Sequence, residues 1–410
     1  MEVHSFFLHL IIILMSARFL GEVAAHMGAP SVTGEILAGI IFGPSILGLI
    51  QPNDILKLLA EIGVILLLFE VGLETDITEL TRSGAKATIV AIVGFVAPFL
   101  FGFCISYGIF NLSLLVSLFI GGTITATSIG ITIRVLTDLD RHHSHEAQVV
   151  LGAAVMDDIM GIVLLAILYE FSAGGGVSLG NSVRVIIFVV LFLMMAPLLA
   201  KLISGWIRKV EAISQTRGVI STTVVSLVLF FAWLAHAVGA PEILGGFAAG
   251  LALSRRFVLP MGVAIHSDPD FADRVDNDIK PIIHLFTPIF FVMVGLSLNF
   301  RVIDWTSSFI WSFSILIIIG AFAGKLLGAM IISDNMYRKF LIGFAMIPRG
   351  EVGLIFAELG RASNILSNEV YAALIIVVAV TTVIPPLVME RFYVRYGERI
   401  DGDEEKKVWT

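Results

Sequence analysis

Gly152-Ala153-Ala154-Val155-Met156-Asp157-Asp158-Ile159-Met160-Gly161 sets two adjacent carboxylates in the middle of an apolar run. The run extends over residues 147–170, long enough to predict a membrane-spanning helix. An acid at the centre of such a helix costs about 2.5–3.5 kcal/mol, so a pair there marks function. Neighbouring side chains on an α-helix point about 100° apart, so Asp157 and Asp158 diverge. One can meet a cation on another helix while its neighbour meets water. The rest of the chain agrees with a membrane setting. Of its 410 residues, 57% are hydrophobic and 14% charged, and mean hydropathy is +0.97. A soluble domain runs at about 45–50% apolar and about 25% charged. These values exclude a cytosolic enzyme, a nucleic-acid binder and a secreted scaffold. The single Cys104 excludes a disulfide framework and a cysteine metal site.

Working outward, thirteen apolar runs read as spanning helices: 4–24, 30–50, 57–75, 87–109, 112–136, 147–170, 182–204, 217–238, 240–256, 280–299, 306–333, 337–361 and 369–391. The first lacks the basic start and small-residue cleavage site of a signal peptide and stays a helix. Thirteen spans put the termini on opposite sides. With the N-terminus outside, 19 of the 26 basic residues fall in cytoplasmic loops and tail, and four outside: Lys57, Arg184, Arg301 and Arg361. The positive-inside rule therefore predicts an external N-terminus and a cytoplasmic C-terminus.

Two short matches suggest an internal repeat. Glu35-Ile36-Leu37-Ala38-Gly39 in span 2 matches Glu242-Ile243-Leu244-Gly245-Gly246 in span 9, 207 residues on. Val71-Gly72-Leu73 in span 3 matches Val294-Gly295-Leu296 in span 10, 223 residues on. Each pair lies seven spans apart. An odd displacement inverts the second copy, so spans 1–6 and 8–13 form an inverted-topology repeat with span 7 as connector. The 223 offset also relates Thr125, in Thr123-Ile124-Thr125-Ala126-Thr127-Ser128-Ile129-Gly130, to Pro348, in Pro348-Arg349-Gly350-Glu351. Hydroxyl-rich and Pro/Gly-interrupted stretches at matching positions predict two discontinuous helices, spans 5 and 12. Their freed backbone groups are tolerable only beside a cavity or inside protein.

The remaining charges within spans have candidate roles. Lys325, in Gly324-Lys325-Leu326-Leu327-Gly328, is the natural counter-ion for the acidic pair. Arg349 and Glu351 follow the break in span 12 and are expected to pair and staple it. Glu35, Glu61, Glu70 and Glu242 read as interfacial or structural. His142, His143 and His145 lie on a basic, solvated loop between spans 5 and 6.

Five stretches together resemble one family. Thr125–Ile131, Gly152–Asp158, Pro288-Ile289-Phe290-Phe291-Val292-Met293-Val294-Gly295, Gly324–Gly328 and Pro348–Leu354 are similar to the monovalent cation:proton antiporters, above all the bacterial NapA-like sodium/proton antiporters. The likeness runs in order over nearly the whole chain. It implies an all-α polytopic fold whose discontinuous helices cross at their unwound stretches. It also implies a scaffold and dimer domain of residues 1–78 and 211–302, and a mobile ion-transport core of 79–175 and 303–393. Residues 176–210 would be the linker helix and 394–410 the cytoplasmic tail. By resemblance Asp158 binds the cation or proton, Asp157 pairs with Lys325, and the two-Asp pattern is the electrogenic one. A homodimer in the bacterial inner membrane is implied as well. Nucleotide-regulated relatives carry a long C-terminal extension; the chain here ends about 20 residues after span 13, so no nucleotide partner is expected. Glu70 departs from the family, which usually has an apolar residue there.

The chemistry gives a mechanism on its own terms. One carboxylate, Asp158, is neutralised once, by Na⁺ (or Li⁺) or by H⁺, and competition for it produces exchange. Thr125, Thr127 and Ser128, with freed carbonyls, can supply oxygen ligands to Na⁺ at Asp158. Na⁺, H⁺ and the lipid bilayer are the expected partners; no resident cofactor, metal cluster or nucleic acid is indicated. A K⁺/H⁺ antiporter or a cation channel on the same fold is the alternative; a single titratable site suits exchange over multi-site conduction. An intramembrane aspartyl protease would need acids facing each other across helices, and a sensor would move no ions.

Overall fold

The structure is a computed structural model that describes residues 3–74, 84–172, 218–238, 241–254, 269–349 and 351–408, with positions 191, 195, 198 and 199. All regular secondary structure among the described residues is helical, with no strand. In chain order the helices are α1 (Val3–His26), α2 (Ser31–Phe42), α3 (Asp54–Glu74), α4 (Gly84–Cys104), α5 (Leu114–Thr123), α6 (Ile129–Asp138) and α7 (His145–Ser172). They continue as α8 (Val219–Ala237), α9 (Glu242–Leu253), α10 (Pro269–Ser297), α11 (Ser308–Ile331), α12 (Met336–Ala345), α13 (Glu351–Ala362) and α14 (Asn368–Val408). A π-helical turn, Ile105–Ile109, prolongs α4. Among the described residues six helices are long and apolar enough to cross a membrane, and α2, α5 and α9 are shorter apolar helices.

The predicted spans 1, 4, 6, 8 and 11 coincide with single helices to within a few residues. Span 7, 182–204, lies outside the described residues except at isolated positions. Three boundaries differ for local reasons. Span 2 was expected to reach residue 50, but α2 stops at Phe42 before Gly43-Pro44. A residue before proline is driven out of the α region, and the chain then turns through Gly48 at φ +68°. Helix α10 begins eleven residues before span 10, at Pro269, a residue suited to the first helical position, with Asp270 next to it in the first turn. Helix α14 runs past span 13 to Val408, because the Arg- and Glu-rich tail also favours helix.

The chain divides into two compact units. One comprises Asn53–Arg82 and Ser178–Met293, and its described helices are α3, α8, α9 and most of α10. Here α9 lies against α3 with backbones almost touching. A side chain on Gly250 would collide with the Phe69 carbonyl, and one on Gly72 with the Phe247 carbonyl. Small residues at the contact are how membrane helices gain packing where no hydrophobic drive exists.

The other unit comprises Met1–Pro52, Ser83–Val177 and Val294–Thr410. Its most extensive packing is α4 on α11. A Cβ on Gly324 would lie 2.5 Å from Pro98 N, and one on Gly328 2.8 Å from Gly94 N. At one end, Phe119, Phe313 and Phe356 are fully buried in an apolar cluster, with Phe110 set edge-on against Phe313 at 5.0 Å. Phe7, Met15 and Phe19 of α1 are 55%, 69% and 68% exposed. An apolar exterior of this kind suits lipid rather than water.

Candidate ion site at two helix breaks

The α5–α6 break follows from its hydroxyls. Thr123 Oγ1 donates to Phe119 O at 2.9 Å and Thr125 Oγ1 to Gly122 O at 2.8 Å, so side chains close the end of α5. Backbone from Ile124 to Ser128 is not helical, and α6 starts at Ile129. The α12–α13 break includes Met346 to Arg349, with Pro348 unable to donate a backbone hydrogen bond.

Each break satisfies the other. Ser128 N donates to Pro348 O at 2.8 Å. Thr127 Oγ1 donates to Met346 O at 2.9 Å, and Thr132 Oγ1 to Ala345 O at 2.6 Å. Arg349 is fully buried. Its NH1 donates to Ala126 O at 2.8 Å and to Thr125 O at 3.2 Å. The Thr382 hydroxyl donates to the Arg349 carbonyl. Arg349 thus braces the unwound stretch of the opposite helix through carbonyls. The expected Arg349–Glu351 pairing cannot be placed beside this, because the Glu351 side chain lies outside the described residues.

Helix α7 brings the acids to this meeting point. Lys325 Nζ donates to Asp157 at 3.0 Å (Oδ2) and 3.2 Å (Oδ1), and both side chains are 0% exposed. Thr127 N donates to Asp157 Oδ2 at 2.8 Å. The Lys325 stem runs along Gly94 of α4, where an added Cβ would lie in ordinary contact with its Cδ at 3.5 Å. Asp158, the next residue, is buried at 3% exposure. Thr125, Thr127 and Ser128 are buried in the α5–α6 break. The Thr125 and Thr127 protons are engaged by Gly122 O and Met346 O, and their oxygens keep acceptor capacity.

Other singled-out residues fall elsewhere. Glu35 Oε1 lies 3.8 Å from Arg134 NH2, Glu70 Oε1 4.0 Å from Lys280 Nζ, and Glu242 Oε1 2.5 Å from His236 Nδ1. His145 is not in a solvated loop. It opens α7 and sits 3.3 Å from Asp334 Oδ2, which also holds Lys86 Nζ at 2.6 Å. Burial alone would push the Asp334 carboxyl up. Hydrogen bonds from His145, Lys86 and the Asn335 N–H outweigh it and hold that carboxyl well below the usual range. Asp334, Arg134 and Asp138 escaped the sequence reading because loop and helix-end charges are ordinary there. The i,i+4 spacing of Arg134 and Asp138 was the one available signal.

The family model for "Sodium/hydrogen exchanger, transmembrane" matches residues 7–391. The chain belongs to the sodium/hydrogen exchanger family. It is a multi-pass membrane ion transporter of the antiporter type and not an enzyme. The exchanger is 34% identical over 321 residues to the high-affinity Na(+)/H(+) antiporter NhaS3 of Synechocystis, covering 77% of this chain and 66% of that one. It is 31% identical to the Na(+)/H(+)-K(+) antiporter GerN of Bacillus cereus, covering 93% of this chain and 94% of that one. Its fold matches the sodium proton antiporter MjNhaP1 of Methanocaldococcus jannaschii with a TM-score of 0.71 at 18% identity, over 97% of both chains.

Proposed function

We propose that this exchanger trades Na⁺ (or Li⁺) for H⁺ across a bacterial cytoplasmic membrane, with Asp158 as the carboxylate for which the two ions compete. The observation that carries the reading is the engaged state of Asp157. Its oxygens already accept from Lys325 and Thr127 N–H, so a cation there would have to displace a buried ion pair; we assign exchange to Asp158, buried one residue on. Asp158 neutralised by one cation at a time couples the fluxes without further machinery. Acceptor oxygens of Thr125, Thr127 and Ser128 complete the ion's shell. Carbonyls of Thr125 and Ala126 serve Arg349 instead, which keeps a fixed positive charge at the crossing.

The same proposal extends to architecture: thirteen spans in an inverted repeat, N-terminus outside, and an ion-carrying core (79–175, 303–393) moving against a dimeric scaffold (1–78, 211–302). Matching glycine contacts support the repeat. Gly72 seats on Phe247, Gly250 and Leu251; Gly295, its counterpart 223 residues on, seats on Ile36, Gly39 and Ile40. Those partners are related by 211 residues, one helical turn from the 207 read from the Glu35 and Glu242 motifs. Two protons per Na⁺ would carry one net charge per cycle, and each 100 mV of potential would then add about 2.3 kcal/mol of driving force.

Proteoliposomes with an internal pH dye test the function. Added Na⁺ should move protons, and Asp158→Asn should abolish both that response and Na⁺ binding. Retained Na⁺-driven proton movement in Asp158→Asn would overturn the assignment. The likeness to GerN favours K⁺ as a second cation, so the assay is run with Na⁺, Li⁺ and K⁺ in turn. Orientation is tested by a cysteine in loop 174–178, which should react with impermeant reagent from outside.

A further inference from the structure

Helix α2 begins without a cap of its own. Pro30 occupies the N-cap position and offers no side-chain hydrogen bond, leaving first-turn N–H groups exposed to whatever lies nearby. The missing cap comes from a distant residue. Asp138 Oδ2, at the end of α6, accepts from Ser31 N at 3.0 Å and from Ser31 Oγ at 2.6 Å. Arg134, one turn earlier on α6, binds across the same junction. Its Nε lies 3.0 Å from Asp138 Oδ1, its NH2 donates to Ser31 Oγ at 3.2 Å, and NH2 lies 3.8 Å from Glu35 Oε1.

We propose that Ser31, Glu35, Arg134 and Asp138 form a gate that closes one end of the ion path and opens once in every transport cycle. The proposal rests on the alternating-access reading above, which assigns α2 to the scaffold and α6 to the moving core; in the closed arrangement seen here the two helices pack within one compact unit. Helix α6 is the segment that leaves the break at residues 124–128, so any displacement of the ion site drags Arg134 and Asp138 with it. By the proposed orientation Ser31 and Asp138 both lie at the cytoplasmic end, and the gate is the inner one.

The chemistry of the junction favours a reversible contact. The α4–α11 contact is made of glycines and proline against backbone, a fit that sliding would destroy. The α2–α6 junction is made of hydroxyl, carboxylate and guanidinium groups, and Arg134 and Asp138 are 14% and 18% exposed. When it parts, Ser31, Arg134 and Asp138 can find water in place of their partners, while Glu35, 2% exposed, stays buried on α2. An aspartate at a helix N-terminus also gains from the helix dipole, which re-forms the contact on return.

Ser31→Cys with Asp138→Cys, in a Cys104→Ser background, tests this, because Ser31 and Asp138 already touch. If the contact must open, oxidising the pair with copper phenanthroline should cut Na⁺/H⁺ exchange in proteoliposomes by about tenfold or more, and dithiothreitol should restore it. Cross-linked protein that exchanges at the reduced rate would overturn the gate while leaving the proposed function intact. Absence of Na⁺-driven proton movement with the wild-type protein would sink the proposed function and the gate with it. Asp138→Asn supplies a second measurement that does not depend on cysteine pairing. Weakening an inner gate shifts the population toward the inward-open form, so KM for cytoplasmic Na⁺ should fall about threefold while KM for external Na⁺ rises. Equal changes at both faces would mark a structural staple and refute the gate.

Discussion

Among the described residues, the Lys325–Asp157 and Lys86–Asp334 pairs differ in almost everything but chemistry. Lys325–Asp157 measures 3.0 Å with both side chains 0% exposed. Lys86–Asp334 is shorter, 2.6 Å, yet Lys86 keeps 31% of its side-chain surface. The first pair has one further donor, the Thr127 N–H. The second has His145 at 3.3 Å, Arg338 at 3.8 Å and the Asn335 N–H at 2.8 Å. Distance therefore ranks them wrongly. Coulomb energy grows as the surroundings dry, and so does the cost of losing a partner. The dry pair is where a change of charge has global consequences; the wetter pair is redundantly supported.

Breaking the dry pair from one side should give the largest effect. Lys325→Ala strands Asp157 and is expected to destabilise by about 3–5 kcal/mol, read as a drop in melting temperature in detergent. Lys325→Gln with Asp157→Asn removes both charges and keeps a hydrogen bond. It should recover most of that loss and still exchange ions through Asp158, now at one H⁺ per Na⁺. Solid-supported-membrane currents beside a pH dye separate the cases. Unchanged charge per Na⁺ would show that neither residue carries transported charge.

Arg349 sharpens the comparison next. It bridges carbonyls of both breaks, and charge-assisted hydrogen bonds are worth about 1.5–3 kcal/mol. Arg349→Gln is expected to cost about that much, with exchange reduced and its charge per Na⁺ unaltered. Stability equal to the parent's would mean that the breaks hold themselves through Thr127, Ser128 and Thr132.

Much of this site was legible in the sequence, because charge inside an apolar run has few innocent explanations. Asp157, Asp158, Lys325 and Arg349 stood out individually, and the hydroxyl and Pro/Gly stretches marked both breaks. What periodicity could not supply was direction. Nothing in Pro348-Arg349-Gly350-Glu351 says that the guanidinium reaches for carbonyls of residues 125 and 126. The α2–α6 junction was invisible for a related reason. Ser31, Arg134 and Asp138 are common at helix ends, and their meaning arises only when tertiary structure sets one helix end against another.

The smallest effect should come from the wetter pair, and its sign with pH is the test. Asp334→Asn removes one charge from a cluster that keeps Lys86, His145 and Arg338 nearby, so the expected loss is about 1 kcal/mol or less. The native carboxyl sits well below the usual range. A carboxyl depressed in the folded state binds fewer protons there than in the unfolded chain. Its contribution is therefore complete above the unfolded value of about 3.9 and is lost as pH falls through the folded value. Wild type and Asp334→Asn should differ most in melting temperature at neutral pH, and the gap should narrow below about pH 4. Currents per Na⁺ should not change. A gap that widens on acidification would mean that Asp334 acts through its protonated form. Altered stoichiometry would move the pair from bracing the start of α7 to taking part in transport, and the contrast with Lys325–Asp157 would fail.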